Sequence, residues 1–203
     1  MVPAPEPLGN RRRGMRMAAF TIETARLRLR PWCAADLTPF AALNADPAVM
    51  EHFPRPLDRG ESDAIVGRIA EHFEQHGFGF WAVEPKDGGP LIGMVGLAVP
   101  RWTAPFTPCV EIGWRLAAAH WGRGYASEAA AAALDHGFGA LGLAEIVAFT
   151  LPRNHRSRAV MQRLGMRRSA ADDFDHPGVP AGHPMVRHVL YRIDAATWRQ
   201  TKG

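Results

Sequence analysis

E-I-G-W-R-L-A-A-A-H-W-G-R-G-Y-A-S-E-A, residues 111–129, reads as a strand ending near Leu116, a short connection, and a glycine turn, Gly122-Arg123-Gly124, that opens directly into a helix. The first N–H groups of a helix have no partner within it, and the positive end of the helix dipole lies behind them, so such a junction suits a phosphate or pyrophosphate. Glycine lets the backbone itself approach the anion. A nucleoside-triphosphate loop would need G-K-[ST], and no Lys follows these glycines. A dinucleotide fingerprint would put its third small residue at Ser127 and an acid about 20 residues on, at the end of the next strand. Glu145 begins that strand instead.

Upstream, A-R-L-R-L-R-P-W from Ala25 alternates apolar and basic residues, which predicts a half-exposed strand ended by Pro31. Residues 34–44 predict a short helix. Asp58 with Glu61 forms a capping pair ahead of Ile65, Val66, Ile69, Ala70 and Phe73, predicting a helix to about His76. F-G-F-W-A-V-E, L-I-G-M-V-G-L-A-V and C-V-E-I-G-W-R-L then read as successive antiparallel strands, K-D-G-G turning the first into the second. Downstream come an Ala-rich helix from Gly124 to about Leu141, a buried strand E-I-V-A-F-T, and a helix from Asn154 to Leu164 stopped by Gly165. A polar insertion at 170–184 precedes a last strand, V-R-H-V-L-Y-R-I. A meander followed by alternating strands and helices implies a mixed α/β sheet covered by helices, with no internal repeat.

The 203 residues are 47% hydrophobic and 22% charged, a globular balance that allows one sizeable core. No apolar run approaches the ~20 residues of a membrane span, and no secretory signal is evident, so a cytoplasmic protein without membrane association is expected. Cys33 and Cys109 form no metal-type pair and read as reduced thiols. Of the formal charge of +4, +3 falls on residues 1–17, which carry Arg11, Arg12, Arg13 and Arg16 against Glu6. The near-neutral remainder argues against nucleic acid as a partner. This Pro-, Gly- and Arg-rich tail is expected to be disordered, with 18–203 forming a single domain.

T-A-R-L-R-L-R-P-W at 24–32, E-I-G-W-R-L at 111–116, W-G-R-G-Y-A-S-E-A at 121–129 and N-H-R-S-R-A-V-M-Q-R-L-G-M at 154–166 together resemble the GNAT superfamily of acyl-CoA-dependent N-acetyltransferases. Within it they are most similar to the RimJ/RimL-like branch, which acts on protein N-terminal amines and related acceptors. The resemblance covers about residues 20–193 and implies a mostly antiparallel central sheet flanked by helices, with a splayed parallel strand pair forming the acyl-CoA cleft. The family's [QR]-x-x-G-x-[GA] motif falls on Trp121 to Ala126, with Trp121 replacing the first polar residue. By resemblance, Gly122, Arg123, Gly124, Tyr125, Ala126 and Ser127 bind the pyrophosphate of acetyl-CoA. Trp114, Arg115 and Leu116 would pair with the pantetheine arm as a neighbouring half-strand would.

Acyl transfer to an amine needs a neutral amine, a stabilised oxyanion and a proton for the leaving thiolate. Glu111 sits where relatives often carry a base or water-orienting carboxylate; the alternative is an Arg-paired or backbone-capping Glu. Many relatives place a proton-donating Tyr seven residues after Asn154, where this chain has Met161. Ser157 is the nearest substitute donor, with helix capping as its alternative. Asn154 either touches the pantetheine arm or simply caps its helix. His176, His183 and His188 lie seven and five residues apart, a spacing that puts no two on one helix face, so no metal is expected. His176 or Asp175 could line an acceptor site, as could the loop R-W-T-A-P-F-T-P, but hydrogen-bonded loop histidines are the stronger reading. Trp32, Trp81, Trp102 and Trp114 read as core or cleft walls.

The expected function is acetyl transfer from acetyl-CoA to a primary amine, a protein N-terminal α-amine leading the acceptors, with small amines and lysine side chains as alternatives. A non-catalytic acyl-CoA-binding module is the rival class, and the oligomeric state is open, a homodimer included. Deleting residues 1–17 is expected to leave acetylation of a small neutral amine nearly unchanged; a collapsed rate would place the tail in the active site.

Overall fold

The computed structural model describes residues 20–201, so the expected basic tail at 1–17 lies outside the described residues. The strands are β1 (Ile22–Glu23), β2 (Leu27–Arg30), β3 (Phe80–Pro85), β4 (Gly93–Ala98), β5 (Glu111–Leu116), β6 (Glu145–Thr150), β7 (Arg167–Arg168), β8 (Phe174–Asp175) and β9 (Arg187–Asp194). The α-helices are α1 (Leu37–Ala45), α2 (Arg59–His76), α3 (Tyr125–Gly139), α4 (His155–Arg163) and α5 (Ala195–Gln200). The sheet runs β1-β2-β3-β4-β5-β6-β9-β7, with β8 on β9. Every neighbouring pair is antiparallel except β5 with β6. The expected mixed sheet with one parallel pair is therefore present, and the principal helices fall where caps and periodicity put them.

Strand alternation sorts side chains onto the two faces of the sheet. Leu27, Leu29, Trp81, Val83, Val95, Leu97, Ile112 and Leu116 face α3, where Ala129, Ala130 and Ala133 have no exposed surface. Their small side chains bring the helix close to the sheet, and Val160, Met161 and Trp198 from α4 and α5 complete this layer. Ala82 and Met94, at alternate positions, face Phe40 and Leu43 of α1 and Val66 and Ile69 of α2. The capping pair ahead of α2 forms as expected. Asp58 Oδ1 accepts from Glu61 N at 2.8 Å, and Glu61 Oε2 from Asp58 N at 3.0 Å. Gly77, in the left-handed region at φ 79°, ends the helix.

His72 joins α2 to the sheet. Its Nδ1 lies 2.7 Å from the Phe78 carbonyl and its Nε2 accepts from Val99 N at 2.9 Å. A ring that donates at one nitrogen and accepts at the other is neutral, and burial holds its pKa below the usual histidine value. The unfolded chain therefore binds the proton more tightly, and this stabilisation, present above pH ~6.5, is lost as pH falls through the lower folded pKa. His72→Ala should cost about 3 kcal/mol at pH 7.5, through the cavity and two orphaned backbone groups. The gap in thermal midpoint between parent and variant should narrow towards pH 5; a gap independent of pH would contradict a neutral, locked ring.

Candidate functional site

The full length of β5 pairs with β4, from Gly93↔Leu116 to Ala98↔Glu111. Against β6 it pairs only at Glu111↔Val147, and β6 instead zips along β9 from Glu145↔Asp194 to Thr150↔Val189. The two strands splay, and a cleft of about 1160 Å³ opens between them, walled by the starts of α3 and α4 and by the α1–α2 connection. Glu111, Trp114, Arg115, Leu116, Gly122, Arg123, Gly124, Tyr125, Ala126, Ser127, Asn154 and Ser157, all singled out from the sequence, line this one cleft.

After β5 the chain makes a single 3-10 turn at Ala118–His120. Trp121 Nε1 donates to the Leu116 carbonyl at 2.8 Å, pinning the connection to the strand end. Gly122 and Gly124 have φ of 73° and 79°, a region that favours glycine. Gly124 is the N-cap of α3, and no side chain caps that helix start. A Cβ at Gly122 would meet nothing within 4 Å. The first amides of α3 thus face open space without an internal acceptor, beside Arg123, and Arg156 stacks over the Trp121 ring at 4.6 Å on the same rim. A pyrophosphate fits this turn, and an extended, amide-bearing chain fits the free edge of β5.

The Glu111 carboxylate lines the cleft with no hydrogen bond or ion pair to another described residue, so the expected alternative of an Arg-paired carboxylate is not what the fold builds. Burial raises its pKa to about 7. Asn154 caps α4: its Oδ1 accepts from Ser157 N at 3.1 Å while its Nδ2 donates to Thr150 Oγ1 at 2.9 Å. Both ends of that amide therefore have structural work. Ser157 receives the cap through its backbone, leaving its hydroxyl without a partner among the described residues. Met161, 1% exposed, closes the cleft floor nearby.

His176 and His188 stand with ring centroids 5.0 Å apart in a cluster with Trp102, Phe149 and Phe174. His183 turns elsewhere, its Nδ1 accepting from Met185 N at 3.1 Å. Among the described residues, no three His, Cys, Asp or Glu side chains gather to hold a metal ion. Asp175 pairs with Arg187 at 3.2 Å. Trp102 and Phe106 of the Pro-rich loop pack on Phe174, and Phe149 carries that cluster to the cleft wall. Trp32 and Trp81 are core; Trp114 is cleft wall. Cys33 and Cys109 are free thiols. Among the described residues, no helix is long and apolar enough to cross a membrane.

Sequence reasoning passed over the α1–α2 connection, from which Val49, His52 and Phe53 enter the cleft. The one available signal was an aromatic residue in a Pro-rich turn, H-F-P-R-P at 52–56.

Residues 26–167 match the family described as acetyltransferase (GNAT) domain. The chain is 38% identical over 182 residues to an uncharacterized N-acetyltransferase of Bacillus subtilis (strain 168), YnaD, covering 87% of this chain and 98% of that protein. It is 32% identical over 189 residues to the FsC-acetyl coenzyme A-N(2)-transacetylase of Aspergillus fumigatus, covering 88% and 77%. The crystal structure of the acetyltransferase from Agrobacterium tumefaciens str. C58 superimposes with a TM-score of 0.70 at 29% identity, over 90% of this chain and 98% of that one.

Gly124→Val would force valine into the left-handed region and put a branched side chain where backbone amides face the cleft. Titration of the folded variant with CoA should show affinity weakened at least about tenfold, the loss of one charge-assisted hydrogen bond being enough. Unchanged affinity would dissociate the glycine turn from the donor.

Proposed function

Because the chain belongs to the GNAT family of acetyltransferases, whose co-substrate is acetyl-CoA, we propose that it acetylates a primary amine through Glu111, with a protein N-terminal α-amine as the leading acceptor. The observation that carries this reading is the strand β5, whose free edge runs from a desolvated carboxylate at Glu111 to the uncapped helix start beyond Gly124. Acetyl-CoA supplies an activated acetyl thioester. The rest of the chemistry falls to side chains and backbone along that edge.

An α-amine with a pKa near ~8 is partly neutral at physiological pH, so the demand on a base is moderate. A carboxylate titrating at about 7 is matched to that demand, taking the proton through a water as the amine attacks. Backbone N–H groups along the unpaired edge of β5 are the available donors for the tetrahedral oxyanion. Ser157, with its free hydroxyl, is the proposed proton source for the thiolate. Met161 cannot serve, and a thiolate is a good enough leaving group that water can substitute.

The RimJ/RimL-like motifs favour the N-terminal acceptor. The relative named as an FsC-acetyl coenzyme A-N(2)-transacetylase favours a second reading, a small-molecule amine. Mass spectrometry of a peptide and small-amine library incubated with acetyl-CoA separates the two. Acetylation of none, with CoA bound, would leave the protein a binding module.

Glu111→Gln should lower kcat by about 10²- to 10³-fold, within the usual range for a general base. It should also remove the inflection near pH 7, leaving only the amine's own titration. The same substitution has an opposite effect on stability. A carboxyl whose folded pKa is raised contributes stability below its unfolded pKa of ~4.3 that is lost as pH rises through the folded value. Glu111→Gln should therefore melt above the parent at pH 8 and converge with it near pH 4. A pH–rate profile matching the parent in height and shape would reduce Glu111 to a structural residue.

A further inference from the structure

On β5, positions 111, 113 and 115 share one face, since successive strand residues point to opposite faces with a period of two; that face carries the side chains of Glu111 and Arg115 with Gly113 between them. Arg115 identifies that face as the one under α1, because its Nη1 donates to Asn44 Oδ1 at 2.6 Å. Asn44 is itself fixed: it has no exposed surface, and its Nδ2 donates to the equally buried Ser62 Oγ at 2.9 Å. The guanidinium lies over the Phe53 ring, 4.2 Å from its centroid. One edge and one face of the guanidinium are thus held by a rigid mount.

The other edge is unpaired. Among the described residues, Nε is buried without a partner, Nη2 makes no hydrogen bond, and no carboxylate stands within ion-pair distance. Nε–H and Nη2–H form the side-on fork that matches a planar carboxylate with two parallel hydrogen bonds. An unsatisfied buried donor on a charged group is costly, and native structures rarely retain one without use. Burial lowers the pKa of Arg115 to about 10, which still leaves it charged at neutral pH.

We infer that Arg115 is the acceptor-recognition residue of this cleft, its Nε/Nη2 fork binding a carboxylate carried by the amine substrate. This rests on the acetyl-transfer reading with Glu111 at the amine. Four steps along the strand, roughly 13 Å between Cα atoms, separate the two positions, so Glu111 and Arg115 engage opposite ends of one molecule. The acceptor class is an amine with a carboxylate several bonds away. An aminocarboxylic acid with a spacer offers this, and so does a peptide α-amine followed by an acidic side chain. Asn44 and Phe53 are positioning residues, orienting the fork without touching the acceptor through it.

The test uses two matched pairs of acceptors with saturating acetyl-CoA: 6-aminohexanoate against 6-aminohexanamide, and Ala-Glu-Ala-amide against Ala-Gln-Ala-amide. The parent should prefer the acidic member of at least one pair by about ten- to a hundredfold in kcat/KM, the range for a charge-assisted bidentate contact. The preferred pair tells a free aminocarboxylate from an acidic N-terminus. Arg115→Gln should abolish the preference, while Arg115→Lys, which keeps charge but not the fork, should retain a fraction of it. Affinity for CoA should hold in both variants, because the pantetheine edge is backbone.

Amines acetylated by the parent with no preference within either pair would overturn the inference and leave acetyl transfer standing. So would a preference that survives Arg115→Gln, or CoA binding that falls in step with it, which would assign the fork to the donor. Acetylation of no amine at all would take down both readings. Should Arg115→Gln fail to fold, Arg115→Lys with calorimetric titration of the acidic acceptor into the CoA-bound protein decides the question. Binding by Arg115→Lys equal to the parent would overturn the inference.

Discussion

Backbone groups on a strand need partners, and the arrangement of the site follows from a seam inside the sheet where they are withheld. Six residues of β5 are paired with β4 and six of β6 with β9, yet between β5 and β6 the ladder closes at a single pair, Glu111↔Val147. Each half of the sheet is therefore fully zipped while the seam is open beyond its first rung. An unpaired edge inside a protein is costly unless something pairs with it or water reaches it. Here the chain adds to the seam: the turn at Gly122 and Gly124 aims the uncapped start of α3 along the same opening. Two sets of unsatisfied amides, one on a strand and one on a helix, thus line a continuous path, suited to an extended chain that ends in phosphates.

Much of this was legible because it is written locally. Asp58 with Glu61, Asn154 with Gly165, and Pro31 at the end of an alternating run each mark a boundary with a side chain or a dihedral angle that acts within a few residues. The two-residue strands β1, β7 and β8 carry no pattern of their own and exist by register, Arg167↔Arg192 and Phe174↔His188 on β9 being examples. Helix α5 is six residues long and capped by Asp194, too short for periodicity to speak.

The site divides along the same line. The glycine turn, the Glu111 strand and the α4 cap were readable because each is a local motif on one element. The contacts of Arg115 were not, since Asn44 is 71 residues away in the chain and Phe53 sits in a connection with no periodic signal. A sequence shows that an arginine stands on a strand; it does not show that no acid will be folded beside it. The near balance of charge over residues 18–203 even suggests the reverse, because most buried arginines find a carboxylate.

The spacing between Glu111 and Arg115 is where fold and chemistry meet. Opposite charges on adjacent positions of one strand face would neutralise each other, and the carboxylate would then fall to an ordinary pKa or below. Gly113 prevents this by occupying the position between them without a side chain. The Phe80 ring, reaching from β3, fills the vacancy, so close that a Cβ on Gly113 would sit 3.1 Å from its edge. An apolar wall between the two groups denies them each other. Glu111 is left with a pKa near that of a working base and Arg115 with an unmade pair of hydrogen bonds. Both conditions cost stability, and a bound amine with a distant carboxylate relieves both at once.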